Sequence, residues 1–462
     1  MTSIPRPARA ARAQTPNRPR LLQALIDAFQ QPDIRRKLLY TMGLLVVFRF
    51  VAHVPIPGVN AALLKDAFEN SALLGFLDLF SGGALRQLSV AAMGVYPYIT
   101  ASIIMQLLTP VIPSLQAISR EGEQGRNRIQ LYTHYLAVPM AFVQGYSQLI
   151  ILEPTGAIGN VTLTGPDALP TLSAVISMTA GTMFLVWLGE LITENGIGNG
   201  ISLIIFGGIV AGLPTLGPSI IDQGVGFFSI GMLAVIAVGV LALIVFVQEA
   251  QRRIPVQYAR SVFRSGRMYR QSGQSHVPLR VNSAGMIPMI FAFSVVIFPA
   301  TAANYLRNQT DVSWVVSISN FVVDWFGPRG TSGNIVSPVY MATIFLLVMV
   351  FTFFYTLVIF QQQNLAENLQ KNGGFIPGIR PGRPTAEYIM RVLVRITWAG
   401  AIFLGAVSIV PYLLPYVVAG FRNVNSLTIT STGLIIIVGV VLDTMRQLES
   451  QLMMRNYEGF IR

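Results

Sequence analysis

The chain has 462 residues, of which 53% are hydrophobic and only 11% charged, with no cysteine and three histidines. An ordinary soluble domain carries about a quarter charged residues, so this composition excludes a soluble enzyme and points to an integral membrane protein. Disulfides, thiol catalysis and cysteine-based metal sites are excluded outright. His53, His134 and His276 lie too far apart in sequence to match a metal-ligand spacing, and no cofactor is called for.

Residues 1–20 are rich in Arg, Pro and Ala and contain no apolar core or cleavage site of a signal peptide. Residues 21–31 space apolar groups as a short surface helix. Ten apolar runs then follow, each predicted to cross a bilayer as a helix: 38–54, 90–112, 131–152, 171–192, 201–221, 227–247, 283–303, 338–360, 389–416 and 428–446. Of the 32 Lys and Arg, 26 fall before the first run, in alternate loops, or after 444; five fall on the other side, and Arg49 lies within the first run. Positive charge collects on the cytoplasmic side, so both termini are predicted to be cytoplasmic. The same bias is the simplest reading of any one basic loop.

The interiors of the runs hold few ionisable groups. Glu190, Glu194 and Asp443 sit near the ends of their runs, and Arg49 is the clear intramembrane charge. An ion-coupled transporter needs ionisable groups near the midplane, and an intramembrane enzyme needs a nucleophile–base or metal constellation. Neither set assembles here. No phosphate-binding loop is present, since Gly196-Ile-Gly-Asn-Gly200 is not a dinucleotide fingerprint. Ten spans with both ends on one side divide into two five-span halves of opposite orientation, the count of an inverted repeat.

Between the first two runs, Phe76-Leu-Asp-Leu-Phe-Ser-Gly-Gly-Ala-Leu85 is apolar but too short to cross. It reads either as a re-entrant segment buried in protein or as an interfacial loop helix. Together with Phe48-Arg49, Pro55-Ile-Pro-Gly58, Glu121-Gly-Glu, Gly181-Thr-Met-Phe, Trp187-Leu-Gly-Glu190, Ile192 to Ser202, Gln251-Arg-Arg-Ile254, Pro278-Leu-Arg-Val-Asn282 and Phe375-Ile-Pro-Gly-Ile-Arg-Pro-Gly382, it makes the chain resemble the bacterial SecY family, the central subunit of the Sec protein-conducting channel.

The resemblance implies an all-α polytopic membrane protein, with ten transmembrane helices in two inverted halves around a central pore and a re-entrant plug helix. The divisions are a cytoplasmic arm with a surface helix (1–33), a first half (34–222) including the plug at 73–85, a second half (223–447) including cytoplasmic loops 248–281 and 361–388, and a tail (448–462). It further implies a protein-conducting channel in the cell membrane, not an enzyme, that passes unfolded secretory polypeptides and releases signal or transmembrane segments sideways into lipid. The pore ring would be Val95, Ile99, Ile201, Ile205, Ile290 and Ile436. The plug would include Leu73, Phe76, Leu77, Phe80, Ser81, Gly82 and Gly83. The lateral gate would include Thr100, Ser102, Gln106, Asn282, Met286 and Phe293. Thr100, Ser102, Gln106 and Asn282 are expected to hydrogen-bond across the closed gate; the alternative is that Thr100 and Ser102 bond their own helix backbone. Docking would fall to Arg252, Arg253, Arg260 and Arg264 in the first loop and Arg380 in the second. The implied partners are the SecA ATPase, the ribosome through its RNA, small SecE and SecG membrane subunits, precursor polypeptides and the lipid bilayer.

Overall fold

The computed structural model describes residues 31–458 apart from 58, 61–62, 65–77, 79–80, 120, 154–155, 163, 213, 215–226, 265–266, 284, 286, 310–311, 328–336, 364 and 418–424. The surface helix expected at 21–31 lies almost wholly outside this range.

Helix α1 (Pro32–Val51) starts on a proline whose fixed φ suits a first helical turn, with Asp33 beside the positive end of the helix dipole. The chain leaving it, Pro55–Ile56, pairs with 88–90: the Ile56 N–H donates to Leu88 O, and the Val90 N–H to Val54 O. This short clamp fixes the entry to α2 (Tyr96–Val111), which bends by 101° into α3 (Pro113–Ser119). Helices α4 (Glu123–Leu152), α5 (Ala168–Asn195) and α6 (Gly200–Gly212) complete the first group. Asn199 caps α6 by accepting the Ser202 N–H through its side-chain oxygen.

The second group comprises α7 (Phe227–Glu249), α8 (Ile287–Gln309), α9 (Ser313–Phe326), α10 (Pro338–Gln363), α11 (Leu365–Lys371), α12 (Arg383–Val417) and α13 (Asn425–Glu458). Each of the ten predicted spans falls on one of these helices in whole or part. Five helices, α4, α5, α7, α10 and α12, are long and apolar enough to cross a bilayer among the described residues. The bent α2–α3 pair makes a sixth candidate. Phe50, Phe228, Val235 and Phe246 are largely exposed, as side chains facing lipid rather than water are.

The loop 248–281, for which the sequence suggested no regular structure, is an antiparallel hairpin of β1 (Gln251–Arg264) and β2 (Arg267–Arg280). A short β3 (Gly374–Phe375) adds to β1 through Gln257 and Tyr258, giving the order β2-β1-β3.

The two groups meet along α2 and α4 against α8, and along α6 against α13. The largest buried apolar cluster lies where they meet. It draws on Phe48 of α1, Ile99 and Ile103 of α2, Leu185 of α5, Ile204 and Ile205 of α6, Ile290 and Phe293 of α8, and Ile436 of α13. A second cluster, around Leu85, Leu88, Leu149 and Met178, fills the first group alone. Helix α5 approaches the 88–90 clamp so closely that a Cβ added at Gly181 would collide with the Val90 carbonyl. Gly181→Leu is therefore expected to destabilise the protein by about 1–3 kcal/mol. Gly43→Ala, inside α1 where nothing lies within 4 Å, is expected to stabilise by up to about 1 kcal/mol. Thermal unfolding of both variants in detergent checks the pair.

Candidate functional site

The six positions singled out for a pore ring come together. Val95, Ile99, Ile205, Ile290 and Ile436 belong to the apolar cluster at the meeting of the two groups, and Ile201 packs against it partly buried. Four helices contribute. Val95 is the N-cap of α2 rather than part of it, and its carbonyl accepts the Ile99 N–H at 3.1 Å. Ile201 and Ile205 lie one turn apart at the start of α6. There Gly189 and Gly200 let α5 and α6 touch with no room for a Cβ at Gly200. The Thr193 hydroxyl accepts the Gly200 N–H, and the Thr41 hydroxyl of α1 accepts the Ile197 N–H. The turn that aims α6 is thus held by three elements. Isoleucine and valine are stiff at χ1, so their arrangement follows the backbone.

Next to Ile290 a cavity of 410 Å³ is lined by Asn199, Ser202, Arg280, Asp443, Thr444 and Arg446, among others. The apolar cluster therefore has a polar mouth on the side where α13 carries its first charges, Asp443 and Arg446. Arg446 donates to Gln248 O at 2.7 Å and to Glu249 at 2.9 Å, tying α13 to the end of α7.

Of the plug positions, Leu73, Phe76, Leu77 and Phe80 lie outside the described residues, while Ser81, Gly82 and Gly83 are placed. Asp78, buried to 5% exposure, pairs with Arg86 at 2.7 Å. Burial pushes the Asp78 carboxyl above the ordinary carboxylate range, against the pull of Arg86. The Ser81 hydroxyl donates to Asp78 O and accepts the Leu85 N–H, and Gly82 and Gly83 both adopt positive φ. This turn rests on α6 and α1. Arg49 Nη1 donates to Gly82 O at 2.7 Å, so the charge that stood out within the first apolar run is spent on this turn.

The expected hydrogen bonds across the α2–α8 seam are corrected by the structure. Thr100 Oγ1 donates to Tyr96 O of its own helix, Gln106 donates to Ser102, and Asn282 Nδ2 donates to Gly285 O. For Thr100 a carbonyl four residues back is within reach on its own helix, so its hydroxyl needs no partner across the seam. The bond that does cross is the Tyr96 hydroxyl to Ser294 O, 2.8 Å and buried. Phe293 is fully buried beside it, and Met286 lies outside the described residues. Gln106 Oε1, Asn282 Oδ1 and Ser294 Oγ are buried with no hydrogen-bond partner among the described residues. Tyr96 was missed because nothing in a sequence marks which tyrosine faces a carbonyl 198 residues away.

Arg252, Arg253 and Arg380 are exposed, while Arg260 and Arg264 are described only as positions on β1. Arg380 sits on a turn whose Gly378 and Gly382 both have positive φ, and its carbonyl accepts the Thr385 hydroxyl. The two loops form one platform, because β3 pairs with β1 and Ile254, Val256, Leu279, Leu369, Ile376 and Ile389 share a core beneath.

The profile described as SecY matches residues 89–445. The protein translocase subunit SecY of Streptomyces galbus is 43% identical over 96% of this chain and 100% of its own length. The chain belongs to the SecY family. The subunit of the same name from Mycobacterium tuberculosis strain H37Rv is 40% identical over the same shares. Among solved structures, one described as a protein conducting channel aligns with a TM-score of 0.64 over 92% of this chain and 96% of that one, at 18% identity. Sec61 in a canine ribosome-channel complex aligns at 0.60 with the same coverage and 17% identity. Both share the SecY fold, a multi-pass membrane architecture. Within that fold the Tyr96 bond is a direct tie across the seam. Tyr96→Phe removes about 0.6 kcal/mol, the average for such a bond. Amide exchange over Ile287–Val296 is expected to accelerate roughly threefold, read by mass spectrometry.

Proposed function

We propose that this chain forms the path by which unfolded secretory polypeptides cross the bacterial cell membrane, and from which signal or transmembrane segments leave sideways into lipid. One observation carries the reading: Val95, Ile99, Ile201, Ile205, Ile290 and Ile436, drawn from four helices and both halves, occupy one apolar cluster below a polar mouth. A collar of apolar side chains admits an extended polypeptide yet resists hydrated ions, because a narrow apolar constriction dewets. At rest the segment around Ser81, Gly82 and Gly83 backs this collar as a plug. The seam of α2 and α8 is the exit, and its orphaned polar atoms make the closed state easy to displace, since each unsatisfied buried group costs about 1–3 kcal/mol.

The chain does no chemistry in this scheme. A motor of the SecA kind or a translating ribosome supplies the push, docking on the platform that carries Arg252, Arg253 and Arg380. Arginine suits bidentate recognition of carboxylate or phosphate, and solved relatives of the same fold include ribosome-bound complexes. Small subunits of the SecE and SecG kind would flank the two halves. Both termini face the cytoplasm, as the bias of positive charge requires.

A secretory precursor arrested midway should crosslink, through its mature region, to photoreactive groups placed at Ile99 and Ile290. Labelling of those positions by lipid alone overturns the reading. Arg380→Glu should abolish motor-driven export at least tenfold while the protein remains inserted, measured by protease protection of precursor in inverted vesicles. Unchanged export removes the docking assignment.

A further inference from the structure

The structure assigns Arg49 and Gly208 as the two halves of a latch that holds the plug segment shut, by gripping the backbone of Gly82 at its carbonyl and at its Cα. This rests on the reading of that segment as a plug.

The geometry is specific on both sides. Arg49, in the last turn of α1, donates from Nη1 to Gly82 O at 2.7 Å. Arg49 forms no ion pair among the described residues, and the carboxylate of Asp78, in the same turn as Gly82, is held at 2.7 Å by Arg86. Arg49 therefore reaches a main-chain carbonyl rather than a counter-charge. On the other side, a Cβ added at Gly82 would lie 2.6 Å from Gly208 Cα and 3.0 Å from the Phe48 ring, and one added at Gly208 would collide with Gly82 Cα. Two backbones touch with no side chain between them. Gly82 also has φ +69°, which other residues adopt only under strain.

Each partner makes sense as a releasable grip. A single charged donor on a carbonyl is strong while water is excluded and is lost when the plug shifts and water or substrate enters. The Gly–Gly contact adds dispersion without interlocking side chains, so the segment can leave without repacking the collar. Ser81, Asp78 and Arg86 keep the turn itself folded through their own bonds. The turn is thereby held by its own bonds, with the latch as the contact that breaks.

Because the gripped group is a carbonyl, every residue type presents it, and the choice of donor decides the strength. Gly208 lies inside α6, where alanine is the better helix former. A substitution there strengthens the helix while pushing Gly82 away. Conduction through Gly208→Ala then reports the contact and not a weakened helix.

The test is the resting ionic conductance of the full-length protein, purified with its accessory subunits and reconstituted in planar bilayers without precursor. Arg49→Gln is expected to raise it about tenfold, the loss of one charge-assisted hydrogen bond. Gly208→Ala is expected to raise it similarly, and Arg49→Lys to restore most of the seal. Neither Arg49→Gln nor Gly208→Ala should add to the leak of a protein lacking residues 73–85. A leak on deleting 73–85, with Arg49→Gln and Gly208→Ala at the parental level, overturns the latch and leaves the plug standing. A lysine as leaky as the glutamine overturns the hydrogen bond as the operative contact. No leak on deletion overturns the plug reading itself, and the latch with it. Should Arg49→Gln fail to accumulate in the membrane, Gly208→Ala and Arg49→Lys decide the question.

Discussion

Apolar packing between the two helix groups is the contact on which everything else rests. Within this buried packing no water satisfies a stray polar group, so the groups can be held together only by dispersion and by bonds the protein supplies itself. Val95, Ile205 and Ile436 are almost fully enclosed, and Ile99 and Ile290 nearly so. These side chains are branched, short and rigid, and edge-on aromatic pairs, Phe291 with Phe351 and Tyr340 with Tyr412, lie in the same cluster. Such a contact closes tightly, yet nothing in it is covalent or strongly directional.

The surrounding scaffold gives the contact its aim. Glycines at 189 and 200 bring α5 and α6 into backbone contact, and Thr41 and Thr193 pin the turn between them. On the opposite side, the Tyr96 hydroxyl reaches the Ser294 carbonyl. Firmness is concentrated in the first group, whose second apolar cluster around Leu85, Leu149 and Met178 lies away from the meeting face. The meeting face itself carries the unsatisfied atoms of Gln106, Asn282 and Ser294.

What could be read from the chain follows from the type of force involved. The spans were legible because hydrophobic length is a property of consecutive residues, whereas the six positions that share the apolar cluster were singled out only through the family resemblance, since their own chemistry does not set them apart from the other apolar residues of the spans. Long-range polar pairings were not legible. Arg49 stood out as a charge in an apolar run, but its acceptor is a main-chain carbonyl, which leaves no trace in composition. Thr100 and Gln106 illustrate the opposite error. Their polarity suggested partners across the seam, while the nearest acceptors lie on their own helix. The hairpin was hidden because its charged, arginine-rich stretch alternates poorly, and the pairing of Tyr258 with Gly374 joins segments more than a hundred residues apart. A Cβ at Gly374 would approach the Tyr258 ring to 2.8 Å, which explains that glycine only once both strands are in view.

The three-stranded platform has a mechanical corollary. Strand β1 continues from α7, β2 leads toward α8, and β3 precedes the Arg380 turn and α12. The strands are stitched by main-chain bonds, so a torque applied to the Arg380 turn is delivered to the root of α8 rather than dissipated in a slack loop. Whatever grasps this sheet holds a crank whose far end is the start of α8.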